Sequence, residues 1–395
     1  MADVIAHREI LLDVSRLIWR VARGGRPTGI DRVCMAYVAH YGDRAQAVVQ
    51  RRGFRRILPP AISTELFSLL LEGGGDFVRR AGALALRAAP SLLGGQEGRN
   101  RLYLNVGHTG LELEDLPAWL ARLDVRPVFM VHDLIPITHP EYCRAGEKER
   151  HVRRMMNVLQ AGTAILGNSD DTLVALARFA GSRQLSMPPA LAVALGADDP
   201  VTGALAAGGD CDPPLAKPYF LMLGTIEGRK NHALMLALWR SMIADMGDSA
   251  PALVIIGQRG WECEQAVDML DRCEMLRGHV VELGGAGDDV VRHYMRHARA
   301  LLFPSFVEGF GMPLVEALAA GLPVIASDIG VFRDVGLGIP HYADPLDGLA
   351  WRNIILDYAL WDSSLRAAQL RRLLDYVPPS WGGHFVVVDR WLAEL

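Results

Sequence analysis

Short runs dominated by apolar residues recur along this chain at positions 10–14, 102–106, 128–131, 164–166, 219–223, 253–256, 280–283, 300–303 and 324–326. Each is followed by a turn rich in Gly or polar residues. Such runs read as strands buried on both faces. Between them the periodicity lengthens to that of helices: from Gly29 towards His40, over 142–160, 172–179 and 232–246, from Asp288, over about two turns from Pro313, and over 351–376 and 381–395. Strand and helix alternate, which predicts an α/β fold with parallel sheets. A chain of 395 residues is too long for one ordinary core. The stretch 195–214 is rich in Gly, Asp and Pro and lacks periodicity, so it reads as a linker. The expected division is 1–200 for a first domain, 201–216 for the linker, 217–377 for a second domain and 378–395 for a terminal helix.

The stretch FPSFVEGFGMPLVEALAAGLPVIASD, residues 303–328, carries the densest chemistry. It reads as strand end, Gly-rich loop, short helix, turn and strand. Gly309 and Gly311 permit close backbone approach, Pro313 suits a first helical turn, and Gly321 ends the helix. A helix starting at the carboxyl end of a strand presents free N–H groups and a positive dipole end, which suits a phosphate. Glu308 and Glu316 flank that point. Two acceptor-only carboxylates beside a phosphate site suit the hydroxyls of a sugar and a ribose.

Other strand ends repeat the layout. After 219–223 comes GTIEGRKN, with Gly224 and Thr225 in the turn and Arg229 and Lys230 just before a helix. Cations are disfavoured at a helix N-terminus, so the couple points to a bound diphosphate. Gly257 ends the next strand, and 258–261 could line a base pocket. In the first half, Gly29 opens a helix after a Gly- and Arg-rich loop. His108 and His132, with Asp133, sit just past two strand ends, where open α/β sheets place ligands. Asp210 and Asp212 form a DxD pair, but no strand precedes it, so linker composition accounts for it better.

These residues resemble a family. Glu308 and Glu316, with seven residues between them inside PSFVEGFGMPLVEALAAGLPV, are similar to the signature of glycosyltransferase family 4. HDLIPITHPEY and GTIEGRKN resemble the family too, and TGIDRV keeps one Gly of its N-terminal pair. The resemblance implies a GT-B fold: two Rossmann-like parallel α/β domains facing a central cleft, with a C-terminal helix crossing back to the first domain. It implies a retaining glycosyltransferase that needs no metal and no cofactor. The catalytic set carried over is His132, Arg229, Lys230 and Glu308. The donor-side set is Gly29, Gly224, Thr225, Arg229, Lys230, Gly257, Glu308, Phe310, Gly311, Met312, Pro313, Leu314 and Glu316, and the acceptor side is His108, His132 and Asp133. The GTIEGRKN form is most like members that build bacterial surface polysaccharides. That leans the donor towards GDP-mannose, with a UDP-sugar open, and the acceptor towards a glycan or a lipid-linked oligosaccharide. A sugar-nucleotide epimerase of the same fold and a non-catalytic sugar-nucleotide-binding protein remain alternatives.

Composition narrows the partners. Half of the residues are hydrophobic and 22% charged, with a net charge of −4, which argues against bulk nucleic-acid binding. Five Cys with no CxxC pair do not suggest a secreted disulfide framework, so a reducing cytoplasm is expected. The first residues do not read as a signal peptide, and no run is long enough to span a membrane. Arginines 51, 52, 55, 56, 79, 80 and 87 are interspersed with apolar residues over 51–93. That segment reads either as a basic surface for an anionic membrane at its inner face or as ordinary solvated helix.

Overall fold

The structure is a computed structural model, and it describes residues 8–24, 28–90, 98–197 and 212–395. The chain divides into two compact units. The first comprises the described residues of Met1–Ile137, Lys148–Val193 and Phe385–Leu395, and the second those of Thr138–Glu147 and Ala194–His384. Most of the expected linker, and the DxD pair up to Cys211, lies outside the described residues.

The first unit is built on β1 (Ile10–Asp13), β2 (Ala45–Arg51), β3 (Phe54–Ile57), β4 (Leu102–Asn105), β5 (Arg126–Val131), β6 (Ala164–Gly167) and β7 (Ala190–Ala192). Their order in the sheet is β3-β2-β1-β4-β5-β6-β7. All pairs are parallel except β2 with β3. β1, β4 and β6 are buried along their whole length, which is why they show as continuous apolar runs. The β2–β3 hairpin departs from that pattern. β2 holds Gln46, Gln50 and Arg51 among small apolar residues and β3 is half arginine, so neither stands out as an apolar run. Arg55 of β3 is nevertheless buried, because its guanidinium makes two 2.9 Å hydrogen bonds to Asp115. One core cluster gathers Leu11, Tyr103, Phe129, Ile165, Trp119 and Leu176 under helices Leu116–Leu123, Glu147–Ala161 and Asp170–Ser182.

Helix 142–160 starts later than expected, at Glu147. A 3-10 turn over Pro140–Tyr142 and Gly146 at φ +85° intervene. In the segment 51–93, Arg79, Arg80 and Arg87 are each paired with a carboxylate, Asp76, Glu72 and Glu65 respectively. Val78 and Leu86 of the same helix are exposed. Among the described residues no helix is long and apolar enough to cross a membrane. The last helix is Trp381–Ala393, and from Phe385 onward it belongs to the first unit. There Phe385 stacks on His40 at 3.9 Å, and Asp389 accepts from Tyr41 at 2.8 Å.

The second unit has a fully parallel sheet of β8 (Tyr219–Leu223), β9 (Ala252–Ile256), β10 (Val280–Leu283), β11 (Leu301–Phe303), β12 (Val324–Ser327) and β13 (His341–Ala343). The order is β10-β9-β8-β11-β12-β13. Its core packs Phe220, Leu253, Leu302 and Ile325 of the sheet against Trp239, Trp351 and Tyr358. The single helix expected over 351–376 is two, Gly348–Ala359 and Ser364–Leu373. Ser363 caps the second by accepting from the Arg366 amide at 3.0 Å. Gln369 is buried apolar-side and bonds the carbonyls of Val324 and Ile339 at 2.8 and 3.1 Å.

In both sheets the strand order reverses direction from a central pair, β1/β4 in the first and β8/β11 in the second. Such switch points open a crevice at the carboxyl ends of the strands. Beside the second one, the ends of β8 and β9 meet so closely that a Cβ on Gly257 would lie 1.9 Å from the Gly224 carbonyl oxygen. Gly257→Ala is therefore expected to lower stability by roughly 1–3 kcal/mol, read from the urea midpoint. Gly284→Ala, where an added Cβ meets nothing within 4 Å, is expected to leave it within about 0.5 kcal/mol.

Candidate active site

The loops after β8 and β11 bring the expected donor-side groups of the second unit together. Past β8, Gly224 turns at φ +115°, and an added Cβ there would sit 3.8 Å from the Lys230 amine. A short 3-10 turn, Gly228–Lys230, follows, and Asn231 in left-handed conformation starts helix His232–Met246. Past β11, Ser305 to Phe310 form a loop, and Gly311 at φ +93° starts helix Met312–Ala319. A side chain on Gly311 would run into Phe332 at 2.8 Å, so the position needs glycine for space as well as for conformation. The two loops are tied by the Phe306 amide donating to the Arg229 carbonyl at 2.8 Å.

Charge is concentrated between these loops. Glu308 bridges both cations: one carboxylate oxygen lies 2.5 Å from Arg229 Nη1 and the other 2.5 Å from Lys230 Nζ. Ser305 donates a further hydrogen bond to it at 2.9 Å. Glu227 holds the other end of Arg229 at 2.6 Å. Lys230 also lies 4.6 Å over the Phe303 ring. Burial alone would raise the Glu308 pKa, but Arg229 and Lys230 override it and hold it down at about 2. Burial lowers Lys230 and raises Glu227. We take Glu308 as ionised and both cations as charged, because the bridge satisfies them mutually.

The remaining residues expected on the donor side take supporting places. Phe310 and Leu314 are buried and anchor the loop and the helix. Met312 and Pro313 form the first turn, and Glu316 follows one turn on, half-buried. Thr225 and Gly257 stand at the ends of β8 and β9. Of residues 258–261, Arg259 is held by Asp271 and Glu282 and Trp261 donates to the Tyr142 carbonyl at 3.1 Å. Gly29 belongs to the first unit, as the first residue of a helix capped by Thr28 and Asp31. Sequence reasoning passed over Glu227 and Ser305. Glu227 lies inside GTIEGRKN, and its proximity to the cation couple was the available signal.

The residues expected on the acceptor side form their own cluster in the first unit. His108, past β4, reaches across to the Met130 carbonyl of β5 at 2.8 Å. His132, past β5, reaches back to the Val106 carbonyl at 2.8 Å. The rings are 5.0 Å apart. His151 adds a 3.1 Å bond to the Asp133 carbonyl. Burial first, and then the neighbouring His132, His151 and Arg154, keep His108 well below the usual imidazole range. Burial likewise brings His132 down to about 4. Both rings are therefore neutral at pH 7, and each engages a backbone carbonyl through Nε2.

Comparisons with known proteins agree with this architecture. The sequence model described as "Glycosyl transferases group 1" matches residues 212–336, which span both loops of the charged site. The O-antigen chain mannosyltransferase B of Escherichia coli is 30% identical over 271 residues, covering 65% of this chain and 67% of that protein. The chain belongs to the group 1 glycosyl transferases. The serotype-specific mannosyltransferase WbdA of Escherichia coli is 31% identical over 222 residues, 52% of this chain. This group 1 transferase spans only 26% of that relative's length. Anabaena HepE, solved in complex with UDP and glucose, shares the fold with a TM-score of 0.65 at 15% identity, covering 98% of this chain and all of that one.

The buried imidazoles of this transferase set a pH dependence. His232, at the start of its helix, is also lowered by burial, to about 3. In the unfolded chain each imidazole takes up its proton near 6.5, whereas folded His132 waits until about 4. Stability is thus lost as pH falls through that window, by about 1 kcal/mol per group at pH 5.5. Asp13 and Glu227 act in the opposite sense, since burial raises both, Asp13 to about 6, but burial lowers His279, His297 and His341 along with the three buried imidazoles. The urea midpoint is expected to fall between pH 7.5 and 5.5, and His132→Asn is expected to flatten that slope.

Proposed function

We propose that this transferase moves a sugar, mannose by preference, from a nucleotide diphosphate sugar to the hydroxyl of a glycan or lipid-linked acceptor, with retention of configuration. The observation that carries the reading is the Lys230–Glu308–Arg229 bridge at the β8/β11 switch point, beside a helix N-terminus. Arg229 and Lys230 neutralise the diphosphate as it departs, together with the N–H groups at the start of helix Met312–Ala319. That assigns to protein cations the neutralisation a divalent metal performs elsewhere. Glu308 holds the donor sugar and Glu316 the ribose. The named mannosyltransferase relatives support the choice of sugar and, through their O-antigen context, that of a polysaccharide acceptor.

In the proposed step the acceptor oxygen bonds the anomeric carbon on the face the phosphate leaves. The bond from that carbon to the phosphate oxygen breaks, and the departing phosphate takes the acceptor proton. His132 and Asp133 orient the acceptor hydroxyl. Glu308, on the loop before helix Met312–Ala319, is held between Arg229 and Lys230, and Glu316 lies a turn inside that helix. Neither is assigned as a nucleophile.

With GDP-mannose and a mannoside acceptor, transfer is expected to persist in EDTA, and NMR is expected to show an axial linkage retained. Lys230→Ala is expected to lower kcat/KM by roughly 100- to 1,000-fold. Glu316→Ala is expected to raise the donor KM roughly tenfold with a smaller change in kcat. Conversion of the donor to its epimer without any acceptor would instead establish the epimerase reading, and binding without turnover across a donor panel would establish a sugar-nucleotide-binding protein.

A further inference from the structure

The first unit carries a concave site of its own at the β1/β4 switch point. A cavity of about 580 Å³ there is lined by six arginines, Arg16, Arg23, Arg51, Arg52, Arg150 and Arg154, against two carboxylates, Glu112 and Asp133. Its volume is in the range that holds a small ligand. Three of the arginines are neutralised from within the fold. Arg16 lies 2.6 Å from Asp31, and Arg150 and Arg154 lie 2.7 and 3.4 Å from Glu112. Among the described residues, neither Arg51 nor Arg52 pairs with a carboxylate.

Those two are placed by the backbone with some care. Arg51 ends β2 with its guanidinium 4.4 Å over the Trp19 ring, and Trp19 is itself oriented towards the Gln50 carbonyl at 3.4 Å. Arg52 and Gly53 form the two-residue turn between β2 and β3, with φ of +48° and +85°. That geometry is a type I′ turn, for which Asn-Gly is the preferred pair. An arginine there forgoes local preference and sets a cation on the cavity rim. Like charges gathered on a concave surface repel one another unless an anion enters. His108 and Asp133 line the same wall.

We propose that this cavity is an anion subsite that takes a phosphate or diphosphate group carried by the acceptor, with Arg51 and Arg52 as its principal ligands. Guanidinium forks match phosphate oxygens in pairs. The proposal rests on the transferase reading above and names the acceptor class of that same reaction. The phosphate could belong to a lipid diphosphate or to a soluble sugar phosphate, and both present the same chemistry to the arginines.

Calorimetric titration of the full chain with inorganic pyrophosphate tests it. Wild type is expected to show two sites, and Lys230→Ala to retain one. Adding Arg52→Asn and Arg51→Ser to Lys230→Ala is expected to weaken the remaining site at least about tenfold. Arg52→Asn creates the favoured Asn-Gly turn, so its urea midpoint is expected to hold or rise, which separates lost charge from lost fold. Loss of all binding in Lys230→Ala alone, or a remaining site indifferent to the arginine changes, would overturn the subsite while leaving the donor assignment in place. A single site abolished by the arginine changes and untouched by Lys230→Ala would support the subsite and remove the donor assignment. Dodecyl diphosphate binding at least about tenfold tighter than pyrophosphate identifies a lipid-linked source, as expected of burying an alkyl chain; equal affinity identifies a soluble sugar phosphate.

Discussion

A carboxylate shared by two cations governs the second unit. Glu308 sits within 2.5 Å of both Arg229 and Lys230, in a place where an unpaired charge of either sign would be costly. Removing any one member leaves a buried charge uncompensated. The bridge therefore fixes the relative position of two loops that come from strands far apart in sequence, and the Phe306–Arg229 backbone bond reinforces it. It also poses the functional question. Cations that are satisfied by a protein carboxylate are available to a diphosphate only if that carboxylate can turn to another partner. In the proposed transfer the hydroxyls of the donor sugar are that partner.

The first unit uses the opposite device. Where the switch point of the second unit pairs charges, that of the first carries imidazoles as neutral rings crossed between β4 and β5. Each ring satisfies a backbone carbonyl on the neighbouring strand, so the two strand ends are locked together at their carboxyl edge. The arginines nearby stay at the rim, where water or an incoming anion can reach them. Both sheets thus place their chemistry at a switch point, one with compensated charge and one with an excess of positive charge.

Much of this was legible in the sequence, for physical reasons that differ by residue. Strands buried on both faces leave unbroken apolar runs, so β1, β4, β5, β6, β8, β9, β11 and β12 were visible. The β2–β3 hairpin was not, because Gln and Arg interrupt its strands and Arg55 is buried through a partner, Asp115, sixty residues away. The split of 351–376 into two helices depended on a cap at Ser363 that amphipathic periodicity does not reveal. At the site, spacing showed that Glu308, Arg229 and Lys230 belong to one strand-end chemistry. It could not show that they contact one another, since no local rule connects residues about eighty positions apart. Glu227 and Ser305 act only through that contact and were hidden with it.

The most direct test is the affinity of the full chain for a nucleoside diphosphate against its monophosphate, measured by calorimetry on wild type and Lys230→Ala. The account predicts that the diphosphate binds wild type roughly 100-fold more tightly, and that most of this preference vanishes in the variant. Equal affinity for the two nucleotides in wild type, or a preference that Lys230→Ala leaves intact, would contradict it.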